Sequence, residues 1–180
     1  YVSEEAPDCG GLTYSPWITA NLTLDRMPRD HNSELAWDNV IYDSPSLGYV
    51  AATHQNLNSR IDRSVWTYYW ALADRPPADV RRMLLEKDWG HWKDLILRDL
   101  ERAHPDIRQC VARIDVMRLG HAMVRPAPGW IFGETRRRLV AWGSDIVLAN
   151  SDLSGFSIFE EAQYRGVQAA DRILKRLGRA

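Results

Sequence analysis

The stretch 145-DIVLANSDLSGFSIFEEAQYRGVQAADRIL-174 sets the plan of the chain. The apolar run 146–149 is typical of a buried strand, and the polar segment 150–157 with its glycine predicts a turn. Ser157 and Glu160 have the spacing of a capping box, in which both side chains accept hydrogen bonds from backbone N–H groups that lack partners inside the helix. A helix is therefore predicted to follow.

Behind that cap, small and apolar residues recur in steps of three and four, which predicts one apolar helix face. They are Phe159, Ala162, Gly166, Ala169 or Ala170, Ile173 and Leu177. A strand, a turn and a helix N-terminus in this order aim backbone N–H groups at one spot, which suits an anion or a carbonyl oxygen. The same order also suits an ordinary strand–helix pair that closes a domain.

Three segments of the stretch occur in a characteristic order: 149–152 (ANSD), 159–162 (FEEA) and 166–170 (GVQAA). This order resembles the C-terminal signature of the FAD-dependent amine oxidase superfamily. The resemblance implies that the first segment holds the ribityl–phosphate part of FAD and that the helix N-terminus meets the pyrimidine edge of the flavin. The cofactor-binding residues implied in this way are Ser151, Asp152, Phe159, Glu160, Glu161 and Ala162.

The resemblance also implies a domain plan. Residues 1–144 resemble the sheet-and-helix substrate domain of that family, and residues 145–180 resemble its final FAD-contacting strand and helix. Such proteins cradle the diphosphate of FAD on a G-x-G-x-x-G turn, and this sequence contains none. Because the chain also starts with Tyr1, we expect the C-terminal part of a longer flavoprotein without its Rossmann half. The chain alone is then expected to bind no FAD and to be inactive.

Upstream, the sequence predicts an α+β fold, a mainly antiparallel sheet with two central helices and the C-terminal strand–helix unit. Alternation of apolar residues predicts half-buried strands, and residues 63–73, apolar or aromatic on both faces, predict a central strand. Helices are expected from Pro76–Pro77 and after Trp89–Gly90, and residues 120–130 are expected to form a loop. The remaining predicted strands are 14–25, 40–42, 49–53 and 111–119.

Composition narrows the functional classes. The 180 residues suit one domain, or a core with a subdomain, and the net charge of −1 gives no overall case for nucleic-acid binding. The apolar run 65–73 is too short to span a bilayer, and the first residues resemble no signal peptide. The cellular location is left open, with the cytoplasm as the default, because any N-terminal signal would lie in the missing part of the expected longer protein. Cys9 and Cys110 lack metal-ligand spacing, and free thiols are expected rather than a single disulfide. No metal site is predicted.

Titratable and aromatic residues supply the candidates for chemistry. His121 and His54 stand at predicted strand ends, where site residues collect, although structural histidines are common there. Tyr69 is a further candidate. The run Arg136–Arg138 is expected to be a solvated face. Aromatic residues that could line a flavin pocket, or simply fill the core, are Trp66, Tyr68, Tyr69, Trp70, Trp130 and Trp142.

Two functions from different classes follow. The first is part of an FAD-dependent oxidoreductase of the amine-oxidase type, which oxidises an amine or another C–H or C–N bond of a small molecule by hydride transfer to flavin. The second is a non-catalytic interaction module that keeps the fold without the cofactor. Its support is that Asn150 and Glu161 stand where the family signature has glycine. If the chain is a fragment, its truncated sheet exposes edges and the surface that the FAD domain would cover, which favours self-association.

Overall fold

The computed structural model describes residues 7–29, 35–55, 57, 61–143 and 146–179. It is an α+β protein with a five-stranded antiparallel sheet, which confirms the predicted fold class. The strands are β1 (Tyr14–Leu24), β2 (Asp38–Asn39), β3 (Tyr49–Ala51), β4 (Ser64–Ala71) and β5 (Val111–Val124). The α-helices are α1 (Pro77–Glu86), α2 (Trp89–Leu100), α3 (Ile107–Cys110), α4 (Glu134–Ala141) and α5 (Phe159–Arg176).

The chain divides into two compact units. The central unit comprises the described residues between Pro16 and Gly120. The terminal unit comprises the described residues up to Ser15 together with those from His121 onward. The division of function between residues 1–144 and 145–180 stays a prediction.

The sheet has the strand order β2-β3-β4-β1-β5, so β4 lies in the middle as its sequence predicts. β4 pairs antiparallel with β1 and with β3. Alternate residues of β1 and β4 point into the core, which α1 and α2 complete. The large, fully buried side chains of this core include Ile18, Leu22, Leu24, Trp66, Tyr68, Val80, Trp92, Ile96 and Leu100. Burying each contributes roughly 1.5–3 kcal/mol, which makes this core the main source of stability in the central unit.

A buried carboxylate ties α2 to the loop before β3. Asp99 Oδ2 accepts hydrogen bonds from Ser44 Oγ at 2.6 Å, Ser46 Oγ at 3.0 Å and Tyr68 OH at 3.0 Å. Its other oxygen lies 3.3 Å from an Arg102 guanidinium nitrogen. Asp99 is only 8% exposed, and burying an unpaired carboxylate would be costly. The three hydroxyl donors and the Arg102 cation compensate its negative charge.

Several predicted elements differ from the observed ones. The strand predicted at 40–42 is wrong, because β2 lies at Asp38–Asn39 and Tyr42 is in a turn. The loop predicted from residue 120 is wrong as far as Val124, because β5 continues to that residue. The helix α4 was not predicted from the sequence. The second face of β4 is also more open than its apolar sequence indicates, with Val65 42% exposed.

The terminal unit has a small core of its own, formed by Trp130, Leu139 and Leu153. Gly155 has φ +80°, and a Cβ there would lie 3.0 Å from Trp130 Cδ1, so the loop needs glycine at this position. Arg136 donates from Nε to the Leu153 carbonyl at 2.7 Å and from Nη1 to the Ile131 carbonyl at 3.0 Å. The prediction of a solvated arginine run therefore holds for the exposed second and third arginines but is wrong for Arg136.

Candidate functional site

The segment before the candidate site is not the strand that its sequence predicts. Residues 146–149 form no strand and are half-buried or exposed. A buried strand needs neighbours that hydrogen-bond to it on the sheet, and the observed sheet contains no strand from this segment. The segment 146–176 is therefore a loop followed by a helix, rather than the predicted strand and helix.

The loop after this segment is compact. Residues Ser151–Leu153 form one turn of 3₁₀-helix. The N–H of Gly155 donates to the Asp152 carbonyl at 3.0 Å, and Leu153, Ser154 and Gly155 are buried. Packing against Trp130 and the Arg136 bonds fix this loop. Ser151 and Asp152, two residues that the family resemblance assigns to FAD, therefore stand half-buried on an ordered turn.

The helix predicted after the loop is confirmed, but its predicted cap is wrong. α5 begins at Phe159, its N-cap residue is Ile158, and no side chain caps it. The hydroxyl of Ser157 instead accepts a hydrogen bond from the Val124 backbone N–H at 3.2 Å. Because isoleucine has no side-chain acceptor, the first-turn N–H groups of α5 have no side-chain partner among the described residues.

The residues assigned to the helix N-terminus are accessible. Phe159 is 75% exposed, Glu160 and Ala162 are exposed, and Glu161 is half-buried. Phe156 and Ile158, on the approach to the helix, are 47% and 51% exposed. The helix start therefore combines open N–H groups with uncovered apolar side chains.

A hydrogen bond connects Asp152 to a residue that the sequence analysis did not single out. The Tyr14 hydroxyl donates to Asp152 Oδ2 at 2.7 Å, and the Tyr14 ring meets the His121 ring edge-on with centroids 6.0 Å apart. Burial, and then the bond to Asp152 and its negative charge, raise the pKa of Tyr14 to about 12. Asp152 and His121, which are candidates on separate grounds, thus come together through Tyr14.

No local sequence pattern points to Tyr14. It lies 138 positions from Asp152, and a tyrosine at the start of a strand has no distinguishing spacing. Only the tertiary fold brings the two side chains together. Tyr14 is therefore the residue of this cluster that sequence reasoning missed.

The apolar stripe of α5 is not the face that packs on the protein. The inward side carries Glu161, Arg165, Ala169 and Arg172, of which Ala169 is the buried residue. Arg165 donates to Ser154 Oγ at 2.8 Å and Arg172 to the Val140 carbonyl at 2.9 Å. The stripe itself is largely uncovered, with Phe159, Val167, Ile173, Leu174 and Leu177 all exposed.

The other catalytic candidates lie in the central unit. Tyr69 donates from its hydroxyl to Asp38 Oδ1 at 2.7 Å, and burial together with Asp38 raises the pKa of Tyr69 to about 12. At neutral pH this phenol is therefore a donor and a poor base. The backbone of His54 lies in a 3₁₀ turn, Ala52–Gln55, and its side chain is outside the described part. Trp66 and Tyr68 are completely buried core residues rather than a pocket wall, and Trp130 is buried in the terminal unit.

The central unit also has a cavity of about 520 Å³, whose lining includes Asp25, Arg63 and Ser64. Neither charged side chain forms an ion pair within the described residues. Among the described side chains that line this cavity, none was proposed for the site from the sequence.

The residues at the start of α5 fit one end of FAD and not the other. Open N–H groups beside Phe156 and Phe159 suit a flat ring that carries carbonyl oxygens, because such a ring needs donors at its edge and apolar contacts on its faces. Glu160 and Glu161 place negative charge in the first turn, which repels a diphosphate. The described residues therefore fit the ring of a flavin, whereas its diphosphate needs a site outside them.

Other site types receive no support from the described residues. They hold no group of three or more His, Cys, Asp or Glu side chains arranged around a metal position. Cys9 and Cys110 are free thiols, the first exposed and the second buried. No described helix is long and apolar enough to cross a membrane.

The described chain is thus an α+β protein with an antiparallel sheet in its central unit and a loop-and-helix candidate site in its terminal unit. No known protein family and no curated protein gives a significant match to the sequence.

Proposed function

We propose that this chain is the C-terminal part of an FAD-dependent oxidoreductase of the amine-oxidase type. The observation that carries the proposal is that two of the motif segments are an ordered turn and the accessible start of the helix that follows it, and that this turn and this helix are in contact. Asp152 stands on an ordered turn, held by Tyr14, and the uncapped, exposed N-terminus of α5 follows within seven residues. The order of the three motif segments supports the same assignment.

In this proposal each residue of the site has a limited task. The N–H groups at the start of α5 donate to a carbonyl oxygen at the edge of the flavin, and Phe156 and Phe159 keep water from its ring. Asp152 uses one carboxylate oxygen for Tyr14, and the second accepts a hydrogen bond from a hydroxyl of the ribityl chain. Bound FAD would supply the hydride acceptor, and the substrate would be an amine or another small molecule with an oxidisable C–H or C–N bond.

The diphosphate and adenosine of FAD are held by a dinucleotide-binding part outside this chain, because the sequence has no glycine-rich turn for them. The chain by itself is therefore expected to be inactive. The same part would cover apolar surface near the start of α5.

The test is calorimetric titration of FAD into two proteins, this 180-residue chain and the product of the complete reading frame that contains it. The longer protein is expected to bind FAD and to show flavin absorbance, and the chain alone is expected to show neither. In the longer protein, Asp152→Asn is expected to weaken FAD binding, and Asp171→Asn, an exposed change further along α5, is expected not to. Absence of FAD from both proteins would overturn the proposal.

A second candidate is an interaction module without a cofactor. It is favoured by the uncovered apolar stripe of α5, which is larger than a ring-binding site requires. The same titration separates the two candidates. A longer protein that folds, shows no flavin absorbance and takes up no FAD would favour the interaction module.

A further inference from the structure

The cavity of the central unit lies where two paired strands part. β1 and β4 pair as far as Leu24 and Ser64, and the next residue on each strand, Asp25 and Arg63, lines the cavity. Residues directly opposite each other on antiparallel strands have Cβ atoms about 5 Å apart. Because the two charged residues follow directly on such a pair, a carboxylate and a guanidinium begin close together on one cavity wall.

These two charges are not used inside the described part of the chain. Asp25 and Arg63 form an ion pair neither with each other nor with another described side chain, and their side chains form no hydrogen bond there. Both residues are exposed. The guanidinium can donate two parallel hydrogen bonds to a carboxylate, and the carboxylate can accept hydrogen bonds from an ammonium group.

The hydroxyl groups of the cavity wall are also unused. The side chains of Thr23 and Thr53 line the cavity and form no hydrogen bond within the described residues. Ser64 lines it too, and its buried Oγ has no hydrogen-bond partner there. A buried polar atom is almost always hydrogen-bonded, so an unpaired one on a cavity wall favours a polar ligand.

The rest of the described wall is apolar, and it consists of Leu24, Ala52, Ile61, Val65 and Ala112. The cavity volume of about 520 Å³ falls within the roughly 300–1,000 Å³ that is usual for small-molecule sites. A ligand with one charge would pair with only one of the two charged side chains. A small molecule that has an apolar body and both charges uses the whole wall.

We infer that this cavity binds a zwitterion of the α-amino acid type with an apolar side chain. Arg63 holds the carboxylate, Asp25 accepts from the ammonium group, and the ligand side chain packs on Val65 and Ala112. An α-amino acid has both charged groups on one carbon atom, which matches two protein side chains that begin close together. A dissociation constant on the order of 100 μM is expected, because both contacts stay partly in water.

The inference does not rest on the flavin proposal, and it is tested on the 180-residue chain without FAD. L-leucine is the probe, in calorimetric titrations at about pH 6, where an α-amino group is protonated. L-leucinamide has the ammonium group but no carboxylate, and N-acetyl-L-leucine has the carboxylate but no ammonium group. Leucine is expected to bind, and each analogue is expected to bind at least roughly tenfold more weakly.

Two variants test which side chain binds which charge. Arg63→Gln is expected to remove the preference for leucine over leucinamide, because the carboxylate loses its partner. Asp25→Asn is expected to remove the preference for leucine over N-acetylleucine. The matched controls are Arg75→Gln and Asp74→Asn, two exposed changes outside the described cavity wall, and both are expected to leave the three affinities unchanged.

A third variant tests the apolar part of the wall. Ala112 is exposed, so Ala112→Phe can fill part of the cavity without disturbing the core. It is expected to weaken leucine binding roughly tenfold. Circular dichroism and the midpoint of urea unfolding verify that each variant remains folded.

The inference is overturned if leucine at about 10 mM gives no binding heat, since that concentration is far above the expected constant. Equal affinity for leucine, leucinamide and N-acetylleucine overturns it as well, because the apolar wall alone would then account for binding. Folded Arg63→Gln and Asp25→Asn variants that bind leucine as tightly as the unchanged chain overturn the assignment of the two charges and the inference with it.

Discussion

Breaking the hydrogen bond between Tyr14 and Asp152 is the most direct way to perturb the candidate site. The bond is 2.7 Å long and its acceptor is a carboxylate, and such bonds contribute roughly 1.5–3 kcal/mol when they are buried. Both side chains are only half-buried, so solvent screening reduces the expected loss for Tyr14→Phe to about 1 kcal/mol. This loss is measured as the difference in free energy of unfolding between the two proteins at neutral pH, by urea titration followed by circular dichroism.

The control is Tyr164→Phe. This tyrosine is 52% exposed on α5, and its hydroxyl makes no hydrogen bond within the described residues, so its loss is expected to change stability by less than about 0.5 kcal/mol. In a double-mutant cycle, Tyr14→Phe and Asp152→Ala together are expected to cost about 1 kcal/mol less than the sum of the two. Equal stability of the Tyr14→Phe and Tyr164→Phe variants would refute the reasoning.

The same bond has a pH signature. The pKa of Tyr14 is raised from 10.0 to about 12 in the folded protein. The folded state therefore holds this proton more tightly than the unfolded state, and the associated stability is present below pH 10.0 and lost as the pH rises to about 12. Asp152→Asn is expected to lower the pKa of Tyr14 only in part, because burial is the larger cause. The pKa of Tyr14 is measured by following tyrosinate absorbance in the near ultraviolet as the pH is raised. A Tyr14 that titrates at the ordinary tyrosine pKa of 10.0 would contradict the structure.

Two further predictions concern the central unit. Asp99→Ala removes the acceptor of the Tyr68 hydroxyl and leaves the Ser44 and Ser46 hydroxyls with each other as partners. The change is expected to lower the free energy of unfolding, measured by urea titration, by about 3–5 kcal/mol, against less than about 0.5 kcal/mol for the exposed Asp115→Ala. Similar losses for the two variants would contradict the buried network. Gly48 has φ +100°, and a Cβ there would lie 1.9 Å from the Asn39 carbonyl oxygen, so Gly48→Ala is expected to cost more than about 3 kcal/mol in unfolding. Gly129→Ala, with φ +86° but open space around the Cβ, is expected to cost only about 1–2 kcal/mol and separates steric overlap from backbone strain.

Local patterns predicted the central unit well. Alternation of Ile18, Ala20, Leu22 and Leu24 located β1 and its buried face, and all four side chains are buried. Proline at the start of α1 and the apolar spacing of α2 located both helices. These signals work because each depends on residues that are neighbours in the chain.

The same patterns failed where packing decides the outcome. The apolar run 146–149 has the composition of a strand, yet a strand exists only when another strand offers it hydrogen-bond partners. Ser157 has the spacing of a cap, but its hydroxyl accepts from Val124 instead. α4 was missed because its sequence is rich in arginine and shows little apolar spacing, and Arg136 helps to hold it through bonds to distant carbonyls.

The sequence by itself determined the α+β class, the central strand, the amphipathic character of α5 and the motif on which the flavin proposal depends. Only the tertiary structure decided that Tyr14 holds Asp152 and that the polar side of α5 packs inward while its apolar stripe stays exposed. The physical reason is that periodicity records which residues share a face, whereas the partner of that face depends on contacts between residues far apart in the chain. A hydrogen bond across 138 positions leaves no trace in local spacing.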